Sequence, residues 1–286
     1  MRLNGRRQSS NFEDRRGMKG GAVAGIGGIA GIAITALILW ISGGNPLDAL
    51  RGTDLSSLQQ KRENYIPSEK EEEYTVFARQ ILAGTEDVWT EEFRKRGMNY
   101  RPPKLVVFTG AVQSGCGQGT ASMGPFYCSA DETIYLDLSF FDEMEQNMKA
   151  GGDFAFAYVI AHEVGHHVQH LLGTLDEAHS RMARMSEKDA NRESVRIELQ
   201  ADYLAGVWAH NDNVMYNSIE EGDIEEGLNA ASKIGDDYLQ QQAHGYSVPE
   251  TFNHGTSSQR VRWLKKGFNS GRLDPDNTFS VPYSSL

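Results

Sequence analysis

The residues most able to do chemistry in this 286-residue chain are His162-Glu163-Val164-Gly165-His166. Two histidines four positions apart fall on one face of an α-helix, where their imidazoles can hold one zinc ion. The glutamate one residue round the helix is then placed as an acid-base group. A helix is what the flanking sequence predicts: Asp153 follows two glycines as an N-cap, apolar residues recur through Phe156, Val159, Ile160, Val164, Val168 and Leu171, and Gly173 supplies a stop. The motif is therefore expected on a mostly buried helix.

Zinc needs a third protein ligand. A histidine six residues after the second, past a turn glycine, is one solution, but those places hold Leu172 and Gln169. The other solution is a carboxylate from a second helix. The run Ser186 to His210 offers Glu198, at the edge of an apolar face made by Ile197, Ala201, Leu204, Ala205 and Trp208. Ala201, Ala205 and Ala209 would let the two helices approach. Asp202, one turn on, is then placed to accept the second ring N–H of a ligand histidine and fix its tautomer. One zinc per chain on His162, His166 and Glu198 is the expectation; should Glu198 fail as a ligand, Asp202 or His170 is next in line.

Composition narrows the class. With 39% hydrophobic and 23% charged residues the chain can build one domain with a real core. The net charge is −11, although residues 1–19 carry six basic side chains against Glu13 and Asp14, so the remainder is more acidic still. Nucleic acid is excluded as a partner of that acidic part. Cys116 and Cys128 are the two cysteines; lacking CxxC spacing, they read as a disulfide in an oxidising compartment.

In chain order, residues 1–19 read as a basic, disordered cytoplasmic tail. Residues 20–42 contain no charged side chain, and as a helix these 23 residues would reach about 34 Å, enough for a hydrocarbon core of about 30 Å. An uncleaved transmembrane helix is expected, with a cleaved signal peptide as the competing reading. The charge bias puts the N-terminus in the cytoplasm and the rest outside, on the periplasmic or cell-surface side of a bacterial inner membrane. Gly21xxxGly25 and Gly27xxxGly31 would permit homo-oligomers through the span. Residues 43–68 read as a linker and 69–286 as the working domain. Within it Ser68 should cap one helix and Thr85 a second. Strands at 105–108 and 133–138 suggest a small antiparallel sheet, giving an α+β, mainly helical fold. An edge at Gly124 to Tyr127 or Thr133 to Leu138 could take up an extended peptide; equally, these strands could be only core. Helices are expected again over 219–242 and in the run SQRVRWLKKG.

HEVGHH followed by ELQAD resembles the gluzincin pattern HExxH…ExxAD. The chain also carries GRRxSxNxEDRRG (Gly5 to Gly17), GCG…MGPFYC (Gly115 to Cys128), YVIAHEVGHHVQ and FNHGTSSQRVRW (Phe252 to Trp263). Over nearly its whole length it resembles the bacterial neutral zinc metallopeptidase family of YpfJ-like proteins. That resemblance implies a zincin-like domain and peptide or protein substrates. It also implies a role for His254, as a histidine late in many gluzincins hydrogen-bonds the oxyanion. The expected function is a membrane-anchored zinc metalloendopeptidase with Glu163 as general base. The rivals are a membrane-anchored scaffold that keeps zinc only to hold two helices together, and a hydrolase of other amides.

Overall fold

The structure is a computed structural model and describes residues 1–18, 65–273 and 278–286. The uncharged run 20–42 and most of the expected linker lie outside these residues. Among the described residues no helix is long and apolar enough to cross a membrane.

Strand β1 (Phe12–Asp14) comes first. Helix α1 (Glu69–Lys95) then opens with a capping box: the Ser68 side chain accepts from the Glu71 N–H while the Glu71 carboxylate accepts from the Ser68 N–H, and three acids in the first turn suit the positive end of the dipole. The second helix expected from Thr85 is instead the continuation of α1. The Thr85 hydroxyl is satisfied by the Leu82 carbonyl, and Gly84 is there for space: a Cβ would stand 2.6 Å from the Arg6 guanidinium and 2.7 Å from the Asp212 carboxylate.

Strands β2 (Lys104–Phe108), β3 (Ala111–Ser114), β4 (Gly117–Thr120), β5 (Phe126–Cys128) and β6 (Thr133–Asp137) follow. The larger sheet has the order β1-β2-β6-β5, with β1/β2 and β2/β6 parallel and only β5/β6 antiparallel; β3 and β4 form a separate antiparallel pair. This corrects the expected antiparallel sheet. The chain between β2 and β6 makes the β3–β4 hairpin and lays β5 on the edge before returning, so β6 enters β2 from the same end. Parallel pairing requires a long connection of this kind. The Cys116–Cys128 disulfide ties the hairpin turn to β5.

Helices α2 (Ser139–Gln146), α3 (Asp153–Leu171), α4 (Thr174–Met182), α5 (Glu187–Tyr216), α6 (Asp223–Lys233), α7 (Asp236–His244) and α8 (Ser257–Ser270) complete the domain. The helix expected over 219–242 is broken between α6 and α7, where Gly235 packs on the backbone of Ser257. Helix α3 is apolar nearly all round, with Phe154, Ala157, Ile160, Val164 and Val168 buried, and so runs through the core between α1, α5 and α6. Each fully buried Phe, Ile or Val contributes about 1.5–3 kcal/mol. The α5/α8 crossing is close because Gly206 meets the Leu264 carbonyl and Gly267 meets the Tyr203 carbonyl, where any Cβ would overlap them.

Residues 1–18 are not a free tail. β1 extends the sheet, Ser9 N–H donates to the Arg79 carbonyl and Leu105 N–H to the Asn11 carbonyl. Every arginine of this stretch meets a carboxylate: Arg2 with Glu220, Arg6 with Asp212, Arg7 with Glu86 and Asp87, Arg15 with Glu13, and Arg16 with Asp14 and Glu72. The basic charge that reads as a tail signal is matched, residue by residue, to acids, most of them on the helices behind.

Candidate metal centre

His162 and His166 stand one turn apart on α3, with ring centroids separated by 4.8 Å. Across from them α5 presents Glu198. Its Oε2 lies 3.2 Å from His162 Nε2 and its Oε1 lies 3.5 Å from His166 Nε2. The helices come this close because Gly165 faces α5: a Cβ there would stand 2.9 Å from the Ala201 carbonyl oxygen. An alanine at 165 would push α5, and Glu198 with it, away from the histidines.

One donor atom from each of these three residues falls within 4.8 Å of the others. Bonds of about 2.0–2.1 Å to imidazole nitrogen and carboxylate oxygen place tetrahedral ligand atoms about 3.3 Å apart, so the two measured nitrogen–oxygen separations suit zinc. Two histidines and one glutamate also leave a position for water. The donor set therefore fits the metal.

Each histidine is held by its other nitrogen. His162 Nδ1 donates to Asp202 Oδ1 at 2.8 Å, and His166 Nδ1 to Gln169 Oε1 at 2.9 Å, which turns both Nε2 atoms toward Glu198. Asp202 is fully buried. It also accepts from the Tyr158 hydroxyl at 2.6 Å and from Arg260 on α8, whose Nε and Nη2 reach its two oxygens at 2.9 Å each. Gln169 is fixed in turn by the Ile197 carbonyl at 2.8 Å and Gln200 Oε1 at 2.9 Å. Asp202, the expected partner of a ligand histidine, thus stands where the helix spacing puts it. Arg260, Tyr158 and Gln169 are additions that sequence reasoning missed. Gln169 counts in the sequence only as a position without a third ligand, and its place three residues after His166 on the same helix is the available signal.

Burial penalises charge at all these groups, but the opposite charges outweigh it. Asp202 and Glu198 lift His162 to about 10, Arg260 and His162 hold Asp202 down at about 2, and His166 and its neighbours hold Glu198 well below the carboxylate range. Without metal the cluster therefore carries a proton that zinc must displace.

Glu163 is 8% exposed and accepts no hydrogen bond from any described residue. It lines a cleft of about 610 Å³ together with His162, His166, Glu198 and His254. His254 is exposed, and its Nδ1 lies 3.1 Å from Asp236 Oδ1. Asp236 also accepts from the backbone N–H groups of His254 and Gly255, which fixes the loop before α8 and leaves Nε2 of His254 as its remaining ring donor. The surrounding cleft wall opposes charge on this ring, although its side chain keeps about half its surface in solvent, and Asp236 and Glu198 outweigh that and raise its pKa. The rest of the cleft is largely apolar, with Met123, Phe140, Met148 and Leu239 on its walls, and Phe126 and Tyr127 of the edge strand β5 reach it. His167 anchors β5 to α3, because its Nε2 donates to the Arg101 carbonyl at 2.6 Å and its Nδ1 meets the Tyr127 hydroxyl at 2.9 Å. His170, the reserve ligand, faces Glu132 and Asp176 instead.

A helix-borne His-Glu-x-x-His facing a glutamate on a second helix, both lining a cleft, is a cluster that could hold a metal ion. The family model described as "Putative neutral zinc metallopeptidase" matches residues 1–279, and the chain belongs to that family. It is 47% identical over 286 residues to "Uncharacterized protein YpfJ" of Escherichia coli (strain K12), covering 98% of this chain and 99% of that one. It is 41% identical over 192 residues to "Uncharacterized protein Mb2605" of Mycobacterium bovis, covering 64% of each. No solved structure gives a significant match.

Proposed function

We propose that the chain is a zinc-dependent endopeptidase, holding one zinc through His162, His166 and Glu198. The observation that carries this reading is the placement of both Glu198 oxygens opposite the two Nε2 atoms, with Glu163 on the same cleft wall. When bound, zinc supplies a Lewis acid that acidifies a water and polarises the scissile carbonyl. Glu163 takes the proton of the attacking water and hands it to the leaving amine. His254, raised toward its charged form and oriented by Asp236, donates to the carbonyl oxygen as negative charge develops there. The apolar walls and the free edge of β5 suit an extended peptide with bulky side chains. Contact with a bilayer through the uncharged run 20–42 belongs to the same proposal.

Glu163→Gln tests the reading. The change keeps size and leaves the zinc ligands intact, so metal content should stay at one per chain while cleavage of a peptide library falls at least about a hundredfold. A zinc-loaded wild type that cleaves nothing, and a Glu163→Gln variant that fully restores a deletion strain, would together favour the scaffold.

A further inference from the structure

We infer that residues 1–18 and the peptidase domain lie together on the exported side of the membrane, so that the N-terminus does not stay in the cytoplasm. This goes beyond the peptidase reading and does not depend on it.

The N-terminal stretch is built into the fold. β1 pairs in register with β2, matching Phe12 to Leu105, Glu13 to Val106 and Asp14 to Val107. Arg6 Nη2 lies 2.6 Å from Asp212, which is 1% exposed, and Ser9 and Asn11 both donate to the buried Glu86. Withdrawing these residues to the far side of a bilayer would strand Asp212 and Glu86 as buried acids without these donors and leave the β1-facing edge of β2 unpaired, with β6 its remaining neighbour.

The second observation is where the described chain stops and resumes. Tyr65 packs on Gly17 so tightly that a Cβ on the glycine would overlap the tyrosine side chain, and the Tyr65 hydroxyl bonds Glu71 at the start of α1. Residues 17 and 65 therefore share one spot on the domain surface. A single crossing by 20–42 would separate its flanks by a hydrocarbon core of about 30 Å. A return crossing would have to bury Asp48, Arg51, Asp54, Lys61, Arg62 and Glu63. Any contact of the uncharged run with a bilayer must then leave both its flanks on one side. The Cys116–Cys128 disulfide says which side, because such bonds persist where the compartment is oxidising.

The experiment uses the full chain in intact spheroplasts. The native cysteines are paired, so wild type is the blank for a membrane-impermeant maleimide. Gln8 and Asn269 are exposed and remote from the cleft, and Gln8→Cys and Asn269→Cys report on the N-terminal stretch and the domain separately. Asn4→Cys and Lys265→Cys, also exposed, serve as second reporters should either variant accumulate poorly. The expected result is labelling of both variants before lysis. Labelling of Asn269→Cys with Gln8→Cys protected until lysis would restore the single crossing and overturn the inference. Protection of both would overturn the exported location.

Discussion

Asp202 Oδ1 stands 2.8 Å from Nδ1 of His162, and the same carboxylate is forked by Arg260 at 2.9 Å on each oxygen. The candidate metal centre is thereby connected to α8, some 60 residues beyond Asp202 along the chain, through a buried pair that carries no net charge. Four of the five Arg260 N–H groups are engaged, by Asp202 twice, by the Tyr158 hydroxyl and by the Ile234 carbonyl, which makes Arg260 a positioning residue.

Arg260→Met should therefore cost about 3–5 kcal/mol of stability, because it leaves Asp202 buried without its cation, and should weaken zinc binding about 10–100-fold. Adding Asp202→Asn removes the stranded charge and keeps an acceptor for His162. The double variant should bind zinc more tightly than Arg260→Met alone, as measured by competition with a chromophoric chelator. Simple addition of the two losses would show that Arg260 acts elsewhere.

Glu198→Ala removes the carboxylate facing both Nε2 atoms. Zinc affinity should fall by more than about 100-fold, more than for loss of an outer partner. Full zinc content by elemental analysis would transfer the third ligand's role to another group.

The metal-free protein should show a pH-dependent melting temperature. His162 is raised from 6.5 to about 10 in the fold, so its contribution is fully present below pH 6.5 and is lost as pH rises through about 10. Asp202 is lowered from 3.8 to about 2, so its contribution is present above pH 3.8 and lost as pH falls through about 2. Zinc replaces the proton on His162, so the alkaline loss should disappear in the zinc-loaded protein. Parallel alkaline curves with and without zinc would contradict a metal bound at His162.

Arg6→Met tests whether the N-terminal stretch belongs to the domain. Asp212 would be left 1% exposed and unpaired, and denaturant unfolding should show a loss of about 3–5 kcal/mol. A stability equal to wild type would mean that the stretch is dispensable.

Local rules made the centre of this protein readable. The four-residue spacing of His162 and His166 fixes two imidazoles on one helix face whatever surrounds them, and the three-residue and four-residue steps from Glu198 to Ala201 and Asp202 do the same on α5. The helix cap at Ser68 is set by a side chain bonding its own backbone a few residues on, so it too could be read directly, whereas Asp153 falls inside its helix and Gly152 takes the cap position. The disulfide followed from two cysteines without metal-ligand spacing, and the pair is closed.

What only the tertiary structure decided are the pairings between residues far apart in sequence. No periodicity shows that β1 will lie beside β2, because a three-residue strand carries no period of its own, and β2 and β6 pair in parallel where their sequence suggested an antiparallel pair. A run of arginines ahead of an uncharged stretch reads as a disordered tail until Asp212, Glu86 and Glu72 are seen behind it. Thr85 reads as a cap until Gly84 is found pressed between Arg6 and Asp212. Arg260 is only one residue of the helical run SQRVRWLKKG until glycines 206 and 267 bring α8 onto α5. Burial then makes its ion pair with Asp202 obligatory, since neither charge could remain in the core alone.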